Sequence, residues 1–160
     1  MATPSDAAGV TAVPGGLVIL HVEDDPNDVF FVQHAFNKVA PAATLHDVRD
    51  GELATRYLSG QPPYDDRGRH PTPVLVLMDL KLPKRSGHEV LEWIRSQPAM
   101  RTMPVVILSS STERSDIDRA YRLGANAYVA KQGDLEGLVQ VVRGIVTYAA
   151  LAKPGQVAGA

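Results

Sequence analysis

Short apolar runs alternate with longer amphipathic stretches along most of the chain. The runs have the length of strands, and the most uniformly apolar of them are typical of strands buried on both faces. They span 17–22, 43–48, 74–78, 105–108 and 127–130. A helical spacing of apolar residues follows each run, in segments that begin near residues 26, 50, 86, 113 and 135. Five successive strand–helix units predict a parallel sheet that is covered by helices on both faces.

Local signals mark several helix ends and one long loop. Asp25 is a suitable N-cap for the first helix, and Pro26 suits its first position because proline has no N–H to donate there. Gly124 is a suitable C-terminal stop for the helix of residues 113–123. Residues 60–73 contain four prolines and two glycines, which predicts a loop.

The length of 160 residues fits one domain, which is predicted to span residues 17–151. Residues 1–16 and 152–160 are rich in small residues, proline and glycine, and are predicted to be a disordered leader and a flexible tail. The chain has neither a signal-peptide pattern nor an apolar run of the ~18 residues that a membrane span needs. We therefore expect a cytoplasmic protein without a membrane segment.

Composition excludes some classes of site. The chain contains no cysteine, which excludes disulfides and cysteine-ligated zinc. It has 16 basic and 18 acidic residues and a formal net charge of -2. This balance argues against a broad electrostatic surface for nucleic acid. The chain also ends soon after the last predicted helix, so no DNA-binding domain is expected.

Polar side chains follow four of the predicted strands, at the point where each strand ends. Because the carboxyl ends of parallel strands meet at one edge of a sheet, these side chains are expected to share a pocket. They are Glu23, Asp24 and Asp25 after the first strand, Asp79 after the third, Ser109 after the fourth and Lys131 after the fifth. Of these, Asp25 is interpreted as a helix cap.

Crowded carboxylates repel one another unless a cation lies between them. Carboxylate oxygens suit a hard ion, and a few of them together with water fit Mg²⁺. A carboxylate such as Asp79 can act as a nucleophile and form an acyl phosphate. Lys131 and the metal would then neutralise charge on the transferring group, and the Ser109 hydroxyl would donate to a phosphoryl oxygen.

Four motifs in this order resemble those of the response-regulator receiver family. They are 22–26 (VEDDP), 78–83 (MDLKLP) with 86–87 (SG), 104–110 (PVVILSS), and 124–131 with its Gly-Ala start, Tyr128 and Lys131. The resemblance covers residues 17–151. It implies a doubly wound, flavodoxin-like α/β fold whose five parallel strands are ordered 2-1-3-4-5.

The resemblance also implies a role for each matching residue in the metal site. Asp79 is expected to be the phosphoacceptor. Asp24 would bind Mg²⁺ directly and Glu23 through water, while the backbone carbonyl of Lys81 would complete the protein ligands.

Further residues would bind the phosphoryl group and respond to it. Lys131 resembles the phosphoryl-binding lysine, and Ser109 and Tyr128 resemble the coupled switch pair, whose hydroxyl and ring move inward on phosphorylation. One position departs from the family, because its lysine is usually followed by proline and here Gln132 follows.

The expected partner is a sensor histidine kinase that donates a phosphoryl group to Asp79. The Pro-rich loop of residues 60–73 and the sequence of residues 79–93 resemble the corresponding segments of regulators that pair with bacterial phytochromes. The chain is not expected to be an enzyme, although it would assist its own phosphorylation and dephosphorylation. Output would then pass through contact with another protein, a further phosphorelay step or competition for the kinase.

The last helix has more apolar residues than one stripe requires. Beyond the stripe of Leu135, Leu138, Val142, Ile145 and Ala149 lie Val139, Val141, Val146 and Tyr148. A wide buried stripe is one explanation. An exposed apolar strip is the other, and it would favour a homodimer through the fourth and fifth helices and the fifth strand.

Three alternatives remain at this stage. A phosphatase of the haloacid-dehalogenase type needs a second Asp two residues after the nucleophile, and here that residue is Lys81. A flavin or nucleotide module needs strand-end loops rich in Gly, Ser and Thr, and only residues 109–112 qualify. A receiver that is never phosphorylated is favoured only by Gln132.

Overall fold

A computed structural model describes residues 16–151 of the chain. The predicted tail and all of the predicted leader except Gly16 lie outside the described residues. Within the described part, no helix is both long enough and apolar enough to cross a membrane.

One sheet of five parallel strands forms the centre of the fold. The strands are β1 (Val18–Val22), β2 (Thr44–Val48), β3 (Leu75–Met78), β4 (Val105–Ser109) and β5 (Ala127–Ala130). Their spatial order is β2-β1-β3-β4-β5, and every neighbouring pair is parallel. The predicted order is confirmed, and each strand boundary lies within one residue of the expected position.

Five α-helices connect the strands or follow them. They are α1 (Pro26–Val39), α2 (Gly51–Ser59), α3 (Gly87–Ser96), α4 (Arg114–Arg122) and α5 (Leu135–Leu151). Asp25 caps α1 as predicted, since its Oδ1 accepts the Asn27 N–H at 2.9 Å. A short 3₁₀ turn, Pro98–Met100, lies between α3 and β4.

Alternate side chains of the strands build two separate cores. Ile19 of β1 and Leu77 of β3 face the core shared with α1 and α5. Leu20 and Met78 face the opposite core, which is closed by α2, α3 and α4. This alternation explains why the central strands are continuously apolar, since both faces of the sheet are covered.

The extra apolar residues of α5 are largely explained by a wide buried stripe. Val139 and Val146 lie in the core with α1 and the sheet, and Val141 is partly buried against that core. Tyr148 and Leu151 are exposed by 36% and 73%. The alternative of a continuous exposed apolar strip is therefore wrong, because the packing between α5 and α1 covers most of it.

The loop of residues 60–73 is irregular, as predicted, but it is well anchored. Its main anchor is Tyr57 of α2, which is almost fully buried and donates its hydroxyl to the Pro71 carbonyl at 2.9 Å. The rings of Tyr64 and His70 lie 5.1 and 5.9 Å from the Tyr57 ring. Arg67 donates to the carbonyls of Leu58 and His70, each at 2.9 Å.

Candidate functional site

The sheet register brings the ends of four strands together. Val22 of β1 pairs with Met78 of β3, so the residues that follow them, Glu23 and Asp79, emerge side by side. The Asp79 N–H donates to the Val22 carbonyl at 3.1 Å. On the other side of β3, the Lys131 N–H donates to the Ser109 carbonyl at 2.8 Å. The polar groups expected at the strand ends therefore share one edge of the sheet.

Glu23, Asp24 and Asp79 form a compact acidic cluster. Each offers one carboxylate oxygen, and these three oxygens all lie within 4.8 Å of one another. Glu23 and Asp79 are buried, whereas Asp24 is exposed. The predicted proximity of the first and third strand ends is thus present, and the oxygen-only set suits a hard divalent cation that keeps some of its water.

Glu23 and Asp24, which follow β1, differ in the hydrogen bonds that their carboxylate oxygens accept. Glu23 accepts hydrogen bonds on both oxygens, from the Lys131 ammonium at 2.9 Å and from the Asp25 N–H at 3.0 Å. Among residues 16–151, no group donates a hydrogen bond to the Asp24 carboxylate. Asp24 therefore keeps both carboxylate oxygens free beside open solvent, whereas each Glu23 oxygen already accepts one hydrogen bond.

Burial raises the pKa of Glu23 above its usual range. The hydrogen bonds from Lys131 and from the Asp25 N–H lower this pKa in part, while the nearby charge of Asp79 raises it. The charge of Glu23 is therefore costly where it lies, and a bound cation would stabilise it.

Lys131 donates to three carboxylates at once. Its ammonium nitrogen lies 2.7 Å from Asp28 Oδ2, 2.9 Å from Glu23 Oε1 and 3.0 Å from Asp79 Oδ2. Burial alone would lower the pKa of Lys131, but the hydrogen bonds to Asp28, Glu23 and Asp79 raise it above its usual range. The lysine is therefore firmly protonated and points its charge at the acidic cluster.

The two oxygens of Asp79 have different partners. Oδ1 accepts the Leu80 N–H at 2.6 Å and lies 3.5 Å from the Lys81 nitrogen. Oδ2 accepts from Lys131. Lys81 itself is exposed and lines, together with Asp24, an open cavity of about 400 Å³. Asp24, the exposed member of the acidic cluster, is thus accessible from solvent through this cavity.

Ser109 and Tyr128 are both connected to Ser111. The Ser109 hydroxyl is completely buried and accepts the Ser111 N–H at 3.2 Å. The half-buried Tyr128 donates its hydroxyl to the Ser111 carbonyl at 2.7 Å. The two residues that were expected to form a switch pair therefore meet at one residue of the loop between β4 and α4.

Ser111 also joins this loop to α4. Its hydroxyl donates to Asp116 Oδ2 at 2.6 Å and accepts the Glu113 N–H at 3.3 Å. The N-cap residue of α4 is Glu113, whose own side chain makes no capping bond. Ser111 thus connects the loop to the first turn of α4 and uses its N–H, its carbonyl and its hydroxyl at the same time.

Gln132 stands where the resembled family usually has proline. Its side-chain amide donates to the Ala130 carbonyl at 2.9 Å, across Lys131. This bond closes a small ring around Lys131, the residue that contacts the acidic cluster. It is a weaker constraint than a proline ring, because the Gln132 side chain is exposed and rotatable.

Two contributors to the site were missed by sequence reasoning, Asp28 and Asp116. Asp28 lies in the first turn of α1, three residues after the cap Asp25, and that helix end faces the carboxyl edge of the sheet. The position of Asp28 in the sequence could therefore have predicted its place near the site. The pairing of Asp116 with Ser111 could not have been predicted, because it depends on the path of the loop before α4.

Comparison with known proteins places these features in a family context. The family model described as response regulator receiver domain matches residues 19–143. Response regulator Rcp1 of Synechocystis sp. is 37% identical over 131 residues, which cover 82% of this chain and 87% of that protein.

Solved structures show the same similarity. The phosphorylated cyanobacterial phytochrome response regulator RcpA superimposes with a TM-score of 0.76 at 37% identity, over 82% of this chain and 92% of that chain. The Mn²⁺-bound form of response regulator Rcp1 gives a TM-score of 0.74 at 36% identity, over 82% and 93%.

The acidic cluster predicts how metal affinity responds to substitution. We expect Asp24→Asn to weaken Mg²⁺ binding by about tenfold or more, or about 1.4 kcal/mol, because it removes the carboxylate with unused lone pairs. Titration calorimetry with MgCl₂ on the full chain measures this change.

Asp25→Asn is the matched control, since asparagine also caps helices and the Asp25 carboxylate lies outside the cluster. Mg²⁺ affinity in this variant should stay near that of the unaltered chain. Equal losses of Mg²⁺ affinity in both variants would show that Asp24 contributes only its negative charge and is not a specific ligand.

Proposed function

The chain belongs to the response regulator receiver domain family, and on this premise we propose that Asp79 is the residue that receives the phosphoryl group. The protein acts as a two-component phosphorelay regulator, and its acidic pocket binds Mg²⁺ or Mn²⁺. The observation that supports Asp79 most directly is its membership of the acidic cluster together with its hydrogen bond from the Lys131 ammonium at 3.0 Å.

The proposed reaction is attack by an Asp79 carboxylate oxygen on the phosphorus of a phosphohistidine. The new O–P bond forms as the P–N bond breaks, and the imidazole leaves with the electron pair and takes a proton. Lys131 neutralises charge on the phosphoryl oxygens, and bound Mg²⁺ supplies further positive charge there. The Leu80 N–H keeps the carboxylate oriented during this step.

We assign the metal ligands by how their oxygens are used. Asp24 is proposed to bind the ion directly, because its carboxylate is exposed and accepts no hydrogen bond within residues 16–151. Glu23 is proposed to bind through water, since Lys131 and Asp25 already occupy its oxygens. The backbone carbonyl of Lys81 is proposed as the remaining protein ligand, on the lining of the cavity beside Asp24.

Ser109 and Tyr128 are proposed to carry the signal from Asp79 to the surface. Movement of the Ser109 hydroxyl toward a phosphoryl oxygen would break its bond with the Ser111 N–H. The Tyr128 hydroxyl bonds to the same residue, so its ring would be released at the same time. Phosphorylation would thereby shift an equilibrium between two surfaces of α4 and β5, which a partner protein reads.

Phosphorylation without a kinase tests the acceptor and the chain's own contribution to the reaction. With Mg²⁺ and acetyl phosphate, we expect intact mass spectrometry to show the addition of one phosphoryl group. Asp79→Asn should abolish it, because an amide cannot replace the carboxylate nucleophile.

Asp118→Asn, an exposed change on α4, should label as the unaltered chain does. Labelling that persists in Asp79→Asn would place the acceptor elsewhere. Continuous release of phosphate from a simple phosphomonoester would instead favour the phosphatase alternative, which Lys81 argues against.

The proposed donor is a sensor histidine kinase of the bacterial phytochrome class. RcpA is described as a phytochrome response regulator, and it resembles this chain in sequence and structure. The proposed compartment is the cytoplasm, because such kinases make phosphohistidine from ATP. Recovery of the protein in an extracytoplasmic fraction would contradict this.

Phosphotransfer assays test the choice of kinase. We expect a radiolabelled phytochrome kinase from the same genome to lose its label to this chain faster than an equally labelled kinase with an unrelated sensor. The physical reason is specific docking, which favours the cognate pair. Equal rates, or a faster unrelated kinase, would contradict the phytochrome assignment.

A homodimer through α4, β5 and α5 is also part of the proposal. Tyr121 and Tyr148 lie exposed on these helices, by 50% and 36%. The Tyr121 hydroxyl accepts the Tyr128 N–H at 3.0 Å, and the Tyr148 hydroxyl accepts from the Asn126 amide at 3.1 Å. Two exposed aromatic rings held in place by hydrogen bonds are suitable interface anchors.

Light scattering across a concentration series tests this assembly. We expect a dimer at high micromolar concentration and a shift toward monomer in Tyr148→Glu, because a charge would enter the interface. Phe30→Glu, at an exposed aromatic of α1, is the control and should leave the dimer intact. A monomeric unaltered chain, or dissociation by Phe30→Glu, would refute this interface.

A further inference from the structure

We propose that Asp28 is a positioning residue, which holds the Lys131 ammonium over Asp79 and so supports phosphoryl transfer. This inference rests on the proposed function, since it assigns a task to a residue beside the proposed acceptor. It goes beyond that function because Asp28 is neither a strand-end residue nor a member of the acidic cluster.

The contact between Asp28 and Lys131 is the shortest that this lysine makes. Asp28 Oδ2 lies 2.7 Å from the ammonium nitrogen, compared with 2.9 Å for Glu23 and 3.0 Å for Asp79. An ammonium group has three N–H donors. Each donor thus has one carboxylate, and the direction of the ammonium is defined by three acceptors.

Only two of these three acceptors compete with a metal ion. Glu23 and Asp79 belong to the cluster whose oxygens lie within 4.8 Å of one another, and Asp28 does not. A cation in that cluster would share the charge of Glu23 and Asp79. Among the partners that Lys131 has in the described part of the chain, Asp28 is then the one whose charge stays fully available to the lysine.

The backbone after Lys131 gives the lysine little support. Gln132 and Gly133 are exposed, and a Cβ atom added at Gly133 would meet no atom within 4 Å. A free lysine side chain can adopt many rotamers. Something other than this loop must therefore restrict the Lys131 side chain if it is to point at Asp79.

Asp28 provides a rigid support of this kind. It lies in the first turn of α1, which Asp25 caps and whose Val32 and Phe36 are buried in the core. The helix joins the Lys131 side chain to the body of the protein, across 103 residues of sequence. A bond to a packed helix limits the ammonium more than a bond within an exposed loop would.

A simpler explanation is that Asp28 only stabilises α1. Acidic residues in a first turn interact favourably with the helix dipole. That explanation predicts a small loss of stability in variants of Asp28 and no effect on Lys131 or on phosphorylation. The two explanations therefore differ in what they predict for Lys131.

The test compares Asp28→Asn and Asp28→Glu in the full chain, with Glu136→Gln as control. Glu136 is an exposed acid in the first turn of α5, so it matches Asp28 in its relation to a helix dipole. With acetyl phosphate at saturating Mg²⁺, we expect Asp28→Asn to lower the labelling rate of Asp79 about tenfold, because misplaced groups lose rate steeply. Asp28→Glu should recover part of that rate, and Glu136→Gln should not change it.

A second measurement does not depend on phosphorylation. ¹⁵N NMR of the lysine side chains should show slow proton exchange at the Lys131 ammonium, and faster exchange in Asp28→Asn. Mg²⁺ affinity should stay within about twofold of that of the unaltered chain, because Asp28 lies outside the metal cluster.

The outcomes separate this inference from the proposed function. If the unaltered chain is not labelled on Asp79, the proposed function fails, and the exchange measurement alone then decides the role of Asp28. If labelling occurs and Asp28→Asn is as fast as the unaltered chain, only the positioning role fails. A faster rate in Asp28→Asn would also overturn it, by showing that Asp28 withholds Lys131 from the phosphoryl group.

Discussion

The site depends on the balance between one ammonium group and the carboxylates around it. Lys131 bonds to Asp28, Glu23 and Asp79, and Asp24 lies beside the last two. Four carboxylates and one ammonium carry a net charge of -3 when all are ionised. Such an excess at a partly buried edge is costly, so it favours a divalent cation. The same imbalance links metal binding, reactivity and the position of Lys131.

This balance exists only because a parallel sheet brings distant segments to one edge. Glu23 and Lys131 are 108 residues apart, yet they form an ion pair. From that edge, a chain of hydrogen bonds runs through Ser111 to Tyr128 and Asp116. Under the proposed role of Ser109, a change at Asp79 would reach the surface of α4 and β5 through these bonds.

Some features were predictable because they follow from burial along one segment. The run of residues 74–78 is apolar at every position since both sheet faces are covered, and its boundary at Asp79 follows directly. The excess apolar surface of α5 was harder to interpret, because the sequence does not show that α1 covers Val139 and Val146. Asp28 was missed for a similar reason, since its partner Lys131 follows β5, 103 residues further along the chain.

The sequence by itself determined the elements, their order and the residues at the strand ends, because apolar periodicity reflects local burial. Only the tertiary structure decided which of those residues touch. It showed that Lys131 divides its three donors among Glu23, Asp28 and Asp79, and that Ser111 is hydrogen-bonded to both Ser109 and Tyr128. Such pairings depend on the path of loops and the rotamers of long side chains, which contacts between remote segments set and no local pattern encodes.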